Sequence, residues 1–249
     1  MIRATFSALC LVVGTPLAHA ETALIAVATN FMPVATALAP GFAAATGHDI
    51  TITGGATGKL YAQIAQSAPF DLLLSADTTT PDRLETEGLA VPGTRFTYAI
   101  GALVLWSANP SRIGPDGPAA LTDDSLRFVA IANPDLAPYG LAAMDTLQAL
   151  DLWESLQPKI VMGQNIGAAF ALTSSGAAEL GFVALSAVID PGVGGSSWVV
   201  PQELYAPIQQ DAVLLTQGAG NPAAVAFLDY LKSDEARALI VAAGYTVSP

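Results

Sequence analysis

Hydrophobic and polar positions divide the chain into alternating short apolar runs and longer periodic stretches. Ala23–Ala28 is a continuous apolar run, the pattern of a strand buried on both faces. After Thr29-Asn30, apolar residues recur at three- and four-residue spacing through Phe31, Val34, Ala35, Leu38 and Phe42, which predicts a helix. Gly47 is placed to end it, and Pro40 predicts a kink or an earlier end. Asp49–Thr53 alternates as a strand, Gly54-Gly55-Ala56-Thr57-Gly58 reads as a loop, and Leu60–Gln66 starts a helix. Phe70–Ser75 is a buried strand and Pro81–Gly88 a short helix. This β-α-β-α-β-α order implies a mostly parallel sheet with helices on both faces.

Phe96–Ser107 is apolar for longer than most strands and suits a chain crossing between two lobes. A second α/β series follows. Its strands are Phe128–Ala132, Lys159–Met162 and Leu180–Leu185, with helices over Gly140–Leu150 and Gly167–Ser174. Residues 186–207 are loop-rich, Asp211–Leu215 is a return strand, and Ala223–Ala243 reads as helical. The expected organisation is a leader over 1–20, a discontinuous first lobe over 21–98 and 213–249, and a second lobe over 99–212. In such folds ligands sit at the carboxyl ends of strands, in the crevice.

Four small polar loops follow strands and precede helices: Thr29-Asn30, Gly54-Gly55-Ala56-Thr57, Ala137-Pro138-Tyr139-Gly140 and Asn165-Ile166-Gly167. Each places backbone N–H groups, often with a hydroxyl, at a helix N-terminus, where roughly half a positive charge resides. Converging, four such ends would balance a dianion. Taken singly, each loop reads as ordinary helix capping.

Charge sharpens this expectation. The chain carries 9 basic and 21 acidic residues, for a net charge of −12. Removing Arg3 with the leader leaves 8 against 21, or −13. Nucleic acid and anionic membranes are therefore poor partners. An anionic guest would be repelled by the global field and would need local dipoles.

The leader has Arg3, an apolar stretch too short to span a bilayer, and Ala18-His19-Ala20 as a cleavage signal, so export with cleavage after Ala20 is expected. Cys10, the single cysteine, lies within it, which leaves the mature chain no thiol for a disulfide, nucleophile or metal site.

Enzyme signatures are weak. Gly54 to Lys59 invites a phosphate-loop reading but has Thr53 and Leu60 where that motif needs Gly and Ser or Thr. His48, the one histidine left, sits in a Gly-His-Asp turn, and no Gly-x-Ser-x-Gly elbow is present. Ser75 and Asp77 could act together, though a strand-end loop capping the next helix is the simpler reading. No enzymatic activity and no cofactor are expected.

The stretches Ala28-Thr29-Asn30-Phe31, Gly55-Ala56-Thr57-Gly58, Ser75-Ala76-Asp77, Arg95–Gly101, Asn133–Gly140, Gly181–Ala184 and Ala243-Gly244-Tyr245, in this order and spacing, resemble the periplasmic molybdate-binding proteins of ABC importers, the ModA family. The resemblance implies a two-lobed α/β fold of the type II periplasmic binding class. It further implies a periplasmic monomer that passes molybdate or tungstate to a membrane permease. Sulfate, phosphate or phosphonate is the alternative guest. By position it implies an oxyanion held by Thr29, Asn30 and Thr57 from the first lobe, and by Tyr139 and the N–H of Ile166 from the second. Many members have a ligand-binding Tyr where this chain has Ala184, and the resemblance passes that role to Tyr139.

Overall fold

The first strand, β1 (Thr22–Ala28), is flanked on both sides by parallel neighbours, which is why its sequence is apolar throughout. It belongs to a computed structural model that describes residues 20–247. The proposed leader, apart from Ala20, lies outside these residues.

Chain order continues with α1 (Met32–Thr46), β2 (Asp49–Gly55), α2 (Thr57–Ala65), β3 (Leu72–Leu74), α3 (Thr79–Thr86), β4 (Phe96–Gly101) and β5 (Leu103–Ser107). Next come β6 (Val129–Ala132), α4 (Pro138–Ala149), α5 (Trp153–Leu156), β7 (Ile160–Gly163), α6 (Ile166–Ser174), β8 (Leu180–Ala184) and β9 (Ser196–Val199). The chain closes with β10 (Ile208–Leu214), α7 (Pro222–Tyr230) and α8 (Asp234–Ala242).

Two five-stranded sheets form, ordered β2-β1-β3-β10-β4 and β7-β6-β8-β5-β9. Each has two parallel and two antiparallel pairings, so the sheets are evenly mixed and not mostly parallel. The antiparallel share comes from the strands that bracket the passages between sheets: β4, β5, β9 and β10.

These strands also correct the expected lobe limits. The long apolar run breaks at Ala102, with β4 in the first sheet and β5 in the second. The return comes between Val199 and Ile208, because β10 lies wholly in the first sheet. The limits 98/99 and 212/213 therefore fall inside strands. Both runs are apolar on each side of the passage, so hydropathy carried no mark of it.

Several element ends differ as well. Gly54 and Gly55 end β2 in register with Val27 and Ala28, and α2 starts at Thr57, three residues earlier than expected. Helix α1 runs through Pro40, whose side chain is exposed, and ends on Gly47 at φ 73°. The C-terminal helical stretch divides at Ser233, whose Oγ accepts from Ala236 N–H and caps α8. Strand β9 escaped the sequence reading because it is a four-residue edge with alternating partial exposure.

The first sheet is covered on one face by α1, α7 and α8, through Phe42, Phe227 and Ile240, and on the other by α2 and α3, through Leu60 and Leu84. The second sheet buries Leu105, Ile131 and Phe182 in a separate core. Two cores with two passages between them leave a cleft where the strand ends of both sheets meet.

Candidate functional site

Thr29 and Asn30 follow the C-terminal end of β1, and Thr57 follows β2, its register neighbour. Tyr139 stands in the first turn of α4 after β6, and Ile166 opens α6 after β7, the neighbour of β6. The structure brings all five to the lining of one small pocket between the lobes. Ala28, Gly55, Ala56, Ala76, Ala137 and Pro138 complete the lining. Asn30, Thr57, Tyr139 and Ile166 are buried, and Thr29 is half-buried.

Simple helix capping does not account for these residues. The helices α1, α2 and α4 have no side-chain cap at all. Thr57 is the first residue inside α2, and its Oγ1 accepts from Ala76 N–H at 3.1 Å instead of capping. Of the four helices that meet at the pocket, only α6 is capped in the ordinary way, by Asn165 Oδ1 accepting from Ala168 N–H at 2.9 Å. Backbone N–H groups in the first turn of a helix lack intrahelical partners. Those of Asn30, Thr57, Tyr139 and Ile166 have no acceptor among the described residues. Thr29 Oγ1 is likewise free of protein bonds there.

Close backbone approach at this point requires glycine. A Cβ on Gly101, the last residue of β4, would lie 2.0 Å from Tyr139 Oη and 2.7 Å from Gln210 Nε2. A Cβ on Gly140 would lie 2.3 Å from the Ala132 carbonyl, so α4 could not sit as close to β6.

Electrostatically the pocket offers neutral donors. Among the five lining residues singled out, none carries a charge. Burial, with neighbouring phenols adding to it, holds the Tyr139 hydroxyl well above the usual tyrosine range, so it stays a protonated donor. The described residues contain no group of three or more His, Cys, Asp or Glu able to hold a metal ion.

Behind the pocket lies a polar cluster that the sequence did not reveal: Gln210, Tyr98, Tyr245 and Ser186. Gln210 is fully buried on β10. Its Oε1 accepts from Asn30 Nδ2 at 2.8 Å, and its Nε2 donates to Tyr139 Oη at 3.3 Å. Tyr245 Oη donates to the Asn30 carbonyl at 2.8 Å, and Ser186 Oγ reaches the same carbonyl at 3.2 Å. Gly58 N–H donates to the Leu136 carbonyl at 2.9 Å, joining α2 directly to the loop before α4. These contacts span 71 to 215 residues of chain, beyond the reach of any local pattern. The signal available was a polar Gln-Gln-Asp at the start of an otherwise apolar return strand.

The residues considered for catalysis lie elsewhere or have structural partners. His48 precedes β2, at the opposite strand end from the pocket, and its Nδ1 accepts from Glu21 N–H. Ser75 Oγ donates to Asp77 Oδ1, and Asp77 accepts from the N–H and hydroxyl of Thr80 at the start of α3. Lys59 is exposed on α2. Trp106 is core packing against Phe170.

Two mixed sheets joined by two passages, with a buried pocket of helix N-termini between them, define a two-lobed solute-binding protein. The family model of bacterial extracellular solute-binding proteins matches residues 23–246. The chain is 49% identical to the molybdate-binding protein ModA of Rhodobacter capsulatus, over 98% of this chain and 96% of that one. It is 48% identical to ModA of Azotobacter vinelandii, over 92% and 91%. The solved periplasmic molybdate-binding protein of Azotobacter vinelandii superposes with a TM-score of 0.88 at 42% identity, covering 91% of this chain and all of that one. The chain belongs to the ModA family of bacterial extracellular solute-binding proteins.

Proposed function

We propose that this protein captures molybdate or tungstate between its lobes in the periplasm and presents it to the permease of an ABC importer, with no chemical step. The observation that carries the reading is the gathering of unpartnered donors from four chain segments around one pocket without a countercharge. Thr29, Asn30 and Thr57 serve from one side, Tyr139 and Ile166 from the other. Each hydrogen bond to an ionic guest contributes about 1.5–3 kcal/mol. Six such bonds offset dehydration and support micromolar or tighter binding, about −8 kcal/mol or better.

Capture precedes closure. The anion meets one lobe's donors first. Rotation about the passages at Ala102 and between Val199 and Ile208 then brings the other lobe's donors, and water leaves. Exclusion of water strengthens every contact. The closed shape, in which the Gly58–Leu136 bond joins the lobes, is what the permease would read. Export through a leader cleaved after Ala20 and action as a monomer complete this reading.

Pocket size supplies selectivity. Fixed donors suit the larger tetrahedra of molybdate and tungstate better than sulfate. One observation favours a second guest class. Asn30 Oδ1 is buried without a donor, and a protonated oxyanion such as hydrogen phosphate could supply one. Titration calorimetry with each anion tests both. Heat and a raised melting temperature with molybdate and tungstate, but not with sulfate or phosphate, are expected. Phosphate binding tighter than molybdate would replace the first reading with the second.

A further inference from the structure

Hydroxyls in an anion site are ambiguous, because each can donate or accept. Only a donated proton helps bind an anion. The structure resolves this for Thr57 by engaging its oxygen from outside the pocket: Ala76 N–H donates to Oγ1 and leaves the hydroxyl proton to point elsewhere. Tyr139 is arranged in the same way. Gln210 Nε2 donates to its Oη. The other phenol oxygen nearby, Tyr245 Oη, is already supplied by Asn30 Nδ2 at 3.1 Å and lies 2.9 Å from Ser186 Oγ. Tyr245 Oη is also within hydrogen-bond reach of the Tyr139 hydroxyl, but a neutral phenol oxygen is a weaker acceptor for its proton than an anionic guest.

We propose that Gln210 is a positioning residue for anion binding: its amide, held by Asn30, feeds Tyr139 Oη from behind and commits the Tyr139 proton to the guest. The inference rests on the oxyanion reading above. Gln210 lies on β10 in the first sheet and Tyr139 on α4 against the second. The bond between them therefore forms as the lobes come together, so closure and proton direction are set by one contact. The amide must point the right way. Asn30 Nδ2 donating to Gln210 Oε1 fixes it, while Tyr98 Oη, 3.2 Å from Oε1, has the Ser75 carbonyl at 3.0 Å as its nearer acceptor. If both amides were turned over, Gln210 would take the Tyr139 proton and Asn30 would turn a donor where its Oδ1 now has no partner. The two arrangements predict opposite behaviour of Tyr139 variants.

The titratable groups around Gln210 are Tyr98 from β4, Tyr139 from α4 and Tyr245 after α8. Asp211 and Asp77 act on Tyr98 from β10 and from the loop after β3. All three phenols are held above their ordinary range, chiefly by burial. Wild-type affinity should therefore be flat between about pH 6 and 9.

Calorimetry with molybdate on the full mature chain tests the proposal through a double-mutant cycle. Tyr139→Phe and Gln210→Met should each weaken binding, by about tenfold or more and about tenfold respectively, and the double variant should be no weaker than Tyr139→Phe alone within about twofold. Gln210→Glu gives a second, independent readout. Burial raises the pKa of its carboxyl, which can donate to Tyr139 Oη while neutral and accepts the Tyr139 proton once ionised. Affinity of that variant should drop about tenfold or more over a range where the wild type is flat. It also stands in for Gln210→Met in the cycle should that variant not fold. Additive losses, an unchanged affinity in Tyr139→Phe, or a flat pH profile in Gln210→Glu each overturn the proposal. A wild type that takes up no molybdate removes the functional reading itself, whereas a wild type that binds while these variants behave independently removes only the role of Gln210.

Discussion

At the scale of single residues, the pocket is defined by which atoms are already used. Thr29, Asn30, Thr57, Tyr139 and Ile166 stood out in the sequence because small polar loops followed strands. The partners that aim them did not stand out. Gln210 is 71 residues from Tyr139 and 180 from Asn30, and no periodicity joins such positions. Gly101 makes the point most sharply, since it reads as one more small residue in an apolar run. A methyl group there would overlap Tyr139 Oη. Gly101→Ala should push Tyr139 away, weakening molybdate binding by about 1–3 kcal/mol, the cost of one orphaned bond to an ionic guest. An unchanged calorimetric dissociation constant would show that the tyrosine hydroxyl is not held by this contact.

At the scale of elements, caps separate positioning from stability. Asn165 and Ser233 both cap helices through a side-chain oxygen. Removing either cap costs about 1 kcal/mol. Of these two helices, only α6 has its first residue at the pocket. Asn165→Ala should therefore lower the melting temperature and weaken anion binding together, whereas Ser233→Ala should lower the melting temperature alone. Paired thermal melts and titrations check this, and an equal loss of affinity in both variants would mean that the Ile166 N–H plays no part. The same elements show where hydropathy succeeds. Buried strands β1, β3, β6 and β8 and the apolar stripe of α1 were visible, because continuous burial and 3.6-residue periodicity leave direct marks. The split of the C-terminal helices at Ser233 was hidden by apolar residues on both sides of the break.

At the scale of the whole molecule, acid stability depends on carboxylates that hold loops together. Burial pushes the Glu179 carboxyl up, but bonds from Phe128 N–H and the Arg127 guanidinium outweigh it, and the net shift is downward. A carboxyl with a folded pKa below its unfolded value stabilises the fold above that unfolded value, about 4.3 for Glu. That stabilisation is lost as pH falls through the lower folded value. Asp123 is lowered too, by bonds from Ser125 ahead of the Arg112 charge. Asp77 runs the other way, because burial raises it. The melting temperature should fall as pH drops from about 5 to 3. Glu179→Gln should start lower and show a shallower fall. An unaltered slope in that variant would remove Glu179 from the acid response.

The sequence by itself determined the alternation of strands and helices, the two α/β series, the family resemblance and the strand-end loops proposed to supply the donors. These depend on residues close in the chain, where burial and capping act locally. Tertiary structure alone decided where the chain passes between sheets, that β5 and β10 run antiparallel to their neighbours, and that Gln210, Tyr245 and Ser186 stand behind the pocket. Strand pairing and buried polar networks depend on which segments meet after folding. An apolar strand reads the same whichever sheet it joins, and a lone buried glutamine has no meaning until its partners arrive from elsewhere in the chain.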